Sequence, residues 1–318
     1  MPVHAFIFPG QGSQFVGMGR DLAAAFAAAR EVFQEVDDTL GQKLSKLMFE
    51  GPAEDLTLTE NTQPALMAMS LAVLRVIQAE GGFVLPARAA LVAGHSLGEY
   101  SALAAAGSFS VASCARLLRL RGQAMQKAVA FGEGAMAALL GVELQAVEAI
   151  CADAAEGPEG RQVVEAANDN GGGQVVISGH RDAVERAVEL AKTRGVKRAM
   201  LLPVSAPFHC ALMAPAADVM AEALDAAEIA PPVVPLVANV TAAKATDPAL
   251  IRSLLVRQVT ETVRWRETMI ACVGMGVDSF VELGAGRVLS GLVRRVVPDA
   301  RAAAAGTPAE VETLLKSL

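Results

Sequence analysis

Apolar positions along this chain recur in two rhythms. Short runs without alternation stand at 3–8 ("VHAFIF"), 88–94 ("RAALVAG"), 233–240 ("VVPLVANV") and 279–283 ("SFVEL"). That is the pattern of parallel strands buried on both faces. Between them lie longer alanine-rich segments with helical spacing, over about 17–38, 63–80, 248–275 and 287–296. "HSLGEYSALAAAG", directly after the second strand, also reads as helix.

From 132 to 203 the rhythm changes. The pattern predicts strand 134–142, helix 143–155, strands 162–167 and 174–178, helix 181–194 and strand 197–203, with "NDNGGG" making the hairpin. That order, β-α-β-β-α-β, is the ferredoxin-like motif. The expected architecture is therefore α/β: a parallel-sheet domain built from 1–131 and 204–318, interrupted by a ferredoxin-like α+β subdomain at 132–203.

Composition narrows the class. The chain has 318 residues, 53% hydrophobic and 19% charged, enough for one large domain carrying an inserted one. No apolar run reaches the ~18 residues of a membrane span. "AFIFPG" is too short and lacks the basic flank of a signal peptide. The four cysteines, 114, 151, 210 and 272, are scattered without a C-x-x-C. The expectation is reduced thiols in a cytoplasmic protein, with no metal site. A net charge of −7 argues against nucleic acid as a partner.

Four glycines at 10, 12, 17 and 19 follow the first strand. Such a loop brings backbone N–H groups close to something negative. A dinucleotide fingerprint would need glycine at 15, which is Phe15. A P-loop would need Lys and Ser/Thr after Gly17, where Met18 and Gly19 stand. The loop is built for another anion.

The junction after the second strand is "GHSLG", 94–98, a G-x-S-x-G match flanked by strand and helix as a nucleophile elbow requires. Ser96 is the candidate nucleophile, against the plainer reading of a helix N-cap. The N–H of Leu97 would serve an oxyanion. Of the four histidines, His4 opens a strand and is structural. His95 neighbours the serine and suits packing or orientation, and His180 opens a charged helix and is solvated. By elimination the base is His209, in a proline-bounded loop ahead of a helix. Cys210 beside it reads as a packed side chain.

Two readings follow. An α/β-hydrolase or thioesterase would order its triad Ser…Asp/Glu…His with an HGGG-type oxyanion loop. No HGGG occurs, and the acids between 96 and 209 fall mostly in the insert. Arg121 favours another reading. In "CARLLRLRGQAMQKA" Arg116 and Arg119 read as solvated helix charges. Arg121, followed by Gly122 and near Met125, suits a clamp for a carboxylate.

The chain resembles the malonyl-CoA:acyl carrier protein transacylase family, the acyltransferases of fatty-acid and polyketide synthesis. "GQGSQ" (10–14), "TQPA" (62–65), "GHSLGEY" (94–100), "RGQAMQ" (121–126), "PFHCALM" (207–213) and "RQVTETVRW" (257–265) carry the resemblance in order from end to end. One departure is Ala285 in "ELGAGRVL", where the family commonly has proline. The resemblance implies a hydrolase-like α/β fold with a ferredoxin-like insert, Ser96 as nucleophile and His209 as base. It implies oxyanion donors at the backbone N–H of Gln11 and Leu97, and Arg121 against the malonyl carboxylate. Gln258, which on residue type reads as a solvated helix end, is implied to orient His209 through its backbone carbonyl. Phe208 is implied in the acyl pocket, with a plain core phenylalanine as the other reading. Malonyl-CoA and an acyl carrier protein are the implied partners, with coenzyme A thioester as substrate and no tightly bound cofactor. "KTRGVKRAM" (192–200) reads either as a solvated basic face or as a carrier-docking patch.

Overall fold

A computed structural model describes residues 3–158, 160–204 and 206–318. Strand β1 (His4–Phe8) runs into the glycine loop, and α1 (Arg20–Ala25), α2 (Ala27–Leu40), α3 (Leu44–Glu50), α4 (Ala53–Thr57) and the long α5 (Thr59–Gly81) follow. β2 (Ala89–Gly94) turns sharply into α6 (Leu97–Ala105), and α7 (Val111–Lys127) packs next. The insert comprises β3 (Gly134–Leu140), α8 (Leu144–Ala154), a minor hairpin of β4 (Glu156–Gly157) and β5 (Gly160–Arg161), then β6 (Val164–Gly171), β7 (Gln174–His180), α9 (Arg181–Thr193) and β8 (Arg198–Leu201). The chain returns through α10 (Ala214–Ala226), β9 (Leu236–Val237), β10 (Lys244–Ala245), α11 (Pro248–Arg257), α12 (Trp265–Gly274), β11 (Ser279–Leu283), α13 (Val288–Val296), β12 (Arg301–Ala305) and α14 (Pro308–Leu315).

The larger sheet has the order β10-β9-β2-β1-β11-β12, parallel except for β10. From β1 the chain builds outward on one side through β2 and β9, then crosses to the other side for β11 and β12. Open α/β sheets bind ligands beyond the carboxyl ends of their strands at such a reversal. The unalternating runs have the expected cause. In β1, Phe6 and Phe8 enter the core beneath α5 to α7, while Ala5 and Ile7 enter the opposite core with Trp265, Met269 and Leu292.

The second sheet, β6-β7-β3-β8, is antiparallel throughout. One face packs Ala137, Leu139 and Ile177 against Val147, Ile150 and Val184 of α8 and α9. The other face contributes Met136 and Val176 to the larger core. Edge strand β6 is stapled to the body: Asp169 N–H donates to Val263 O at 3.0 Å and Val263 N–H to Ala167 O at 2.9 Å. Arg266 Nε donates to the buried Asp169 carboxylate at 2.7 Å. The insert is thereby held over the carboxyl edge of the parallel sheet.

Several local expectations are corrected. The helix read at 17–38 is two helices, broken at Phe26, whose backbone is extended (φ −126°, ψ 128°) while its ring packs on the core. An alanine-rich run without Gly or Pro carries no stop signal, so tertiary packing decides that break. α5 starts before the expected 63, with Pro64 inside it, and is buried almost all round, as a core helix is. The strand read at 233–240 shrinks to Leu236–Val237. "NDNGGG" stays in strand to Gly171, leaving Gly172 and Gly173 for the turn, and this brings Asn168 and Asn170 over the site. His180 is not simply solvated; its Nδ1 accepts from Val163 N–H at 3.0 Å. Arg119 is half-buried and donates to Gln42 Oε1. No helix among the described residues is long and apolar enough to cross a membrane.

Candidate active site

The G-x-S-x-G spacing has a steric origin visible at two glycines. A Cβ on Gly94 would fall 1.8 Å from Gly98 O, and one on Gly98 would fall 2.2 Å from Phe8 O. The turn between them throws Ser96 into the left-handed region, φ 55°, and α6 begins at the next residue. The Leu97 N–H therefore belongs to the first turn of a helix, where no carbonyl four residues back can accept it. Gly10 is also tightly approached, a Cβ there lying 2.6 Å from His95 O. The first glycine loop is thus pressed against the serine turn.

Ser96 Oγ lies 2.7 Å from His209 Nε2. His209 itself has φ 58°, and its Nδ1 lies 2.8 Å from Gln258 O, to which it donates. That bond leaves Nε2 as the acceptor nitrogen facing the serine. Burial, then the charge of Arg121, holds His209 down at about 3 from the ordinary 6.5, so the resting imidazole is neutral. Among the described residues no carboxylate bonds this histidine; a backbone carbonyl stands where a triad would have an acid.

Arg121 is almost fully buried, with 1% of its surface exposed. Its Nη1 donates to Gln63 Oε1 at 2.9 Å, and its Nη2 to Gln258 Oε1 at 2.8 Å and to Ser96 Oγ at 3.3 Å. The guanidinium also sits over the Tyr100 ring, 5.6 Å from its centre. Burial works against its positive charge. A cation kept dry beside a nucleophilic hydroxyl is costly unless an anion visits it.

Gln11, Ser96, Leu97, Arg121, Phe208 and His209 line one cavity of about 240 Å³. Gln258 lies behind it, wholly buried rather than at a solvated helix end. Phe208 belongs to the larger core and also lines the cavity. Met136 and Val176 of the insert cover the cavity from above. His95 packs on Trp265, ring centres 5.5 Å apart, and its Nε2 meets Asn170 Oδ1 at 2.9 Å. "KTRGVKRAM" lies on the far side of the insert, where Lys192 and Arg194 are paired with Glu189 and Asp153.

Three buried polar residues escaped the sequence reading. Asn239, read only as strand, accepts from Ser96 N–H through Oδ1 at 2.8 Å and donates to Gly94 O at 2.7 Å. Glu99 accepts from Gln258 Nε2 at 2.6 Å and from Asn239 N–H at 3.2 Å. Gln63 holds Arg121. Gln63 and Glu99 lie inside "TQPA" and "GHSLGEY", so their motifs were visible although their partners were not. Among the described residues, no group of three His, Cys, Asp or Glu side chains is placed to hold a metal ion.

A serine hydroxyl, a neutral imidazole and a buried guanidinium thus meet in one cavity. The model of the acyl transferase domain matches residues 5–313. A malonyl CoA-acyl carrier protein transacylase of Bacillus subtilis is 46% identical over 314 residues, covering 99% of this chain and 96% of that protein. The crystal structure of an acyl-carrier-protein-S-malonyltransferase from Bartonella henselae superposes with a TM-score of 0.96 at 56% identity, covering 99% of each chain. A malonyl-transacylase solved in complex with a type II PKS acyl-carrier protein superposes at 0.95 with 45% identity, covering 99% of this chain and 100% of that one. With the match running almost from end to end, the chain belongs to the acyl transferase domain family.

Proposed function

We propose that this protein transfers a malonyl group from malonyl-CoA to the phosphopantetheine thiol of acyl carrier protein, supplying fatty-acid synthesis. The observation that carries the acyl specificity is the buried Arg121 guanidinium 3.3 Å from Ser96 Oγ. An acyl group attached at that oxygen, with a carboxylate two carbons further on, falls within reach of the planar fork. A cavity of about 240 Å³ suits a short acyl chain and the end of a pantetheine arm, not a long fatty chain.

The reaction is ping-pong. His209 Nε2 takes the Ser96 proton as Oγ bonds to the thioester carbonyl carbon. The N–H groups of Gln11 and Leu97 hold the resulting oxyanion. As the tetrahedral adduct collapses, the C–S bond breaks and the coenzyme A sulfur leaves with the proton from His209. The carrier thiol then gives its proton to the same nitrogen, attacks the malonyl-serine carbonyl, and Ser96 Oγ leaves with that proton. The Gln258 carbonyl keeps the imidazole in the required tautomer through both halves. All bonds made and broken lie among the malonyl carbonyl, the serine, the histidine and the two thiols, so the cycle as written calls for no tightly bound cofactor. Soluble thioester substrates and four free, buried thiols suit the cytoplasm.

Mass spectrometry of the intact protein after mixing with malonyl-CoA tests this reading. A malonyl mass added at Ser96, discharged by carrier thiol, is expected. Prompt release of free malonate without a carrier would instead mark a thioesterase, and no adduct would overturn the reading.

A further inference from the structure

A carboxylate with no role in the mechanism above lies one helical turn behind the nucleophile. Glu99 is 1% exposed on α6, and a single oxygen, Oε2, accepts from Gln258 Nε2 at 2.6 Å and from Asn239 N–H at 3.2 Å. These two residues are the ones that hold the dyad. Asn239 Oδ1 accepts from Ser96 N–H at 2.8 Å, and Gln258 O accepts from His209 Nδ1–H at 2.8 Å. Gln258 Nε2 also donates to Ser96 O at 3.0 Å.

The Gln258 side chain has one orientation open to it. Its oxygen must face the Arg121 Nη2 donor, and its nitrogen must face the acceptors on Glu99 and Ser96. The amide therefore lies between a buried cation and a buried carboxyl, polarised by both. Without Glu99 the N–H now bonded at 2.6 Å would be left with only the long contact to Asn239 Oδ1 at 3.4 Å. A buried donor so weakly paired costs up to about 1–3 kcal/mol, which the chain would relieve by moving Gln258.

We propose that Glu99 is a positioning residue for the Ser96–His209 dyad, holding Asn239 and Gln258 in register and offsetting the Arg121 charge until an acyl carboxylate arrives. The charge element rests on the transfer reaction proposed above; the positioning element rests on geometry alone. Burial raises the carboxyl to about 7, and hydrogen bonds from Gln258 and Asn239 together with the Arg121 charge pull it back toward the ionised form. Near neutral pH the group is therefore divided between its two forms, and its ionised fraction is what faces Arg121.

Two variants separate the elements. Glu99→Gln retains an oxygen that can accept both bonds while removing the charge; Glu99→Ala removes both. The full chain is used, with thermal unfolding showing that each variant is folded. The first readout needs no substrate: the proton NMR resonance of His209 Nδ1–H, assigned by its loss in His209→Gln. It should persist in parent and Glu99→Gln and vanish into exchange in a folded Glu99→Ala. A resonance unchanged in folded Glu99→Ala would overturn the positioning role, whatever the protein's reaction proves to be. The second readout is kinetic. Glu99→Ala should lose ~10²-fold or more in kcat on malonyl and acetyl thioesters alike, the usual size for a misaligned base. Glu99→Gln, with Arg121 uncompensated, should lower KM for malonyl-CoA several-fold while leaving KM for acetyl-CoA unmoved. Equal movement of the two KM values, with the parent fully active, would overturn the charge role. A parent that takes no acyl group would overturn the transfer reading and leave the NMR result standing.

Discussion

Ser96 Oγ and His209 Nε2 meet at 2.7 Å although both residues hold left-handed backbone, φ 55° and φ 58°. Such conformations cost about 1–3 kcal/mol each and persist where surrounding bonds over-determine them. Here those bonds are Asn239 on the serine N–H and the Gln258 carbonyl on the histidine ring. The contact is made by two strained turns facing one another, one from each side of the insert in sequence.

The serine turn should tolerate no added carbon. Gly98→Ala would place a methyl 2.2 Å from Phe8 O, a backbone atom that cannot swing aside. The variant should lose ~3 kcal/mol or more of stability, the upper range for overpacked sites. Urea midpoints measure this, and a midpoint equal to the parent's would show that the elbow is not sterically closed.

Removal of Ser96 should abolish the acyl adduct and slow transfer by several orders of magnitude; serine loss in a serine protease costs ~10⁶ in kcat. His209→Ala should be severe as well, with incomplete rescue at raised pH because geometry is lost along with basicity. His95→Ala should be milder, since His95 bonds Asn170 and packs on Trp265. A ranking with His95 above His209, read from single-turnover acylation, would reverse the assignment of the base.

Acyl selection should reside in Arg121. Deleting one partner of a desolvated charge pair costs about 2–5 kcal/mol, roughly 30- to 4,000-fold. Arg121→Ala should therefore lose malonyl transfer by that factor and acetyl transfer by far less. Gln63 and Gln258 lose a donor in the same variant, so some loss on acetyl is expected from the network. Parallel measurement of kcat/KM decides it: an equal loss on both thioesters would make Arg121 a support of the fold alone.

Acid should destabilise the protein partly through His209. The unfolded chain binds a proton there with the ordinary value of 6.5, whereas the folded chain resists it down to about 3. The stability this group contributes is complete above 6.5 and drains as pH falls from 6.5 toward 3. His95, also lowered by burial, has the same sign. Glu99 and Glu282, raised by burial, have the opposite one: the stability tied to their neutral forms is present at low pH and is lost as pH rises. Thermal midpoints across this window should fall less steeply in His209→Gln than in the parent. Parallel curves would mean that the imidazole takes a proton in the folded state as readily as in the unfolded chain.

What the sequence determined by itself is local. Unalternating runs marked β1, β2 and β11 because strands covered on both faces need no polar positions, and the insert was legible as a change from one rhythm to another. The elbow was legible because Gly94 and Gly98 answer a steric demand within five residues, and His209 because only four histidines compete. Tertiary structure alone decided the rest. Gln258 lies 162 residues from Ser96 in sequence, yet its side chain and its carbonyl reach both members of the dyad. Glu99, Asn239 and Gln63 carry no local pattern that separates them from surface polar residues; their burial comes from packing α5 on α6 and α7 and from the loop after β9 closing on the serine turn. The break at Phe26 and the two-residue β9 belong to the same class. Helix and strand propensities are summed over neighbours in the chain, whereas a buried hydrogen bond is decided by whatever the fold brings to the other end.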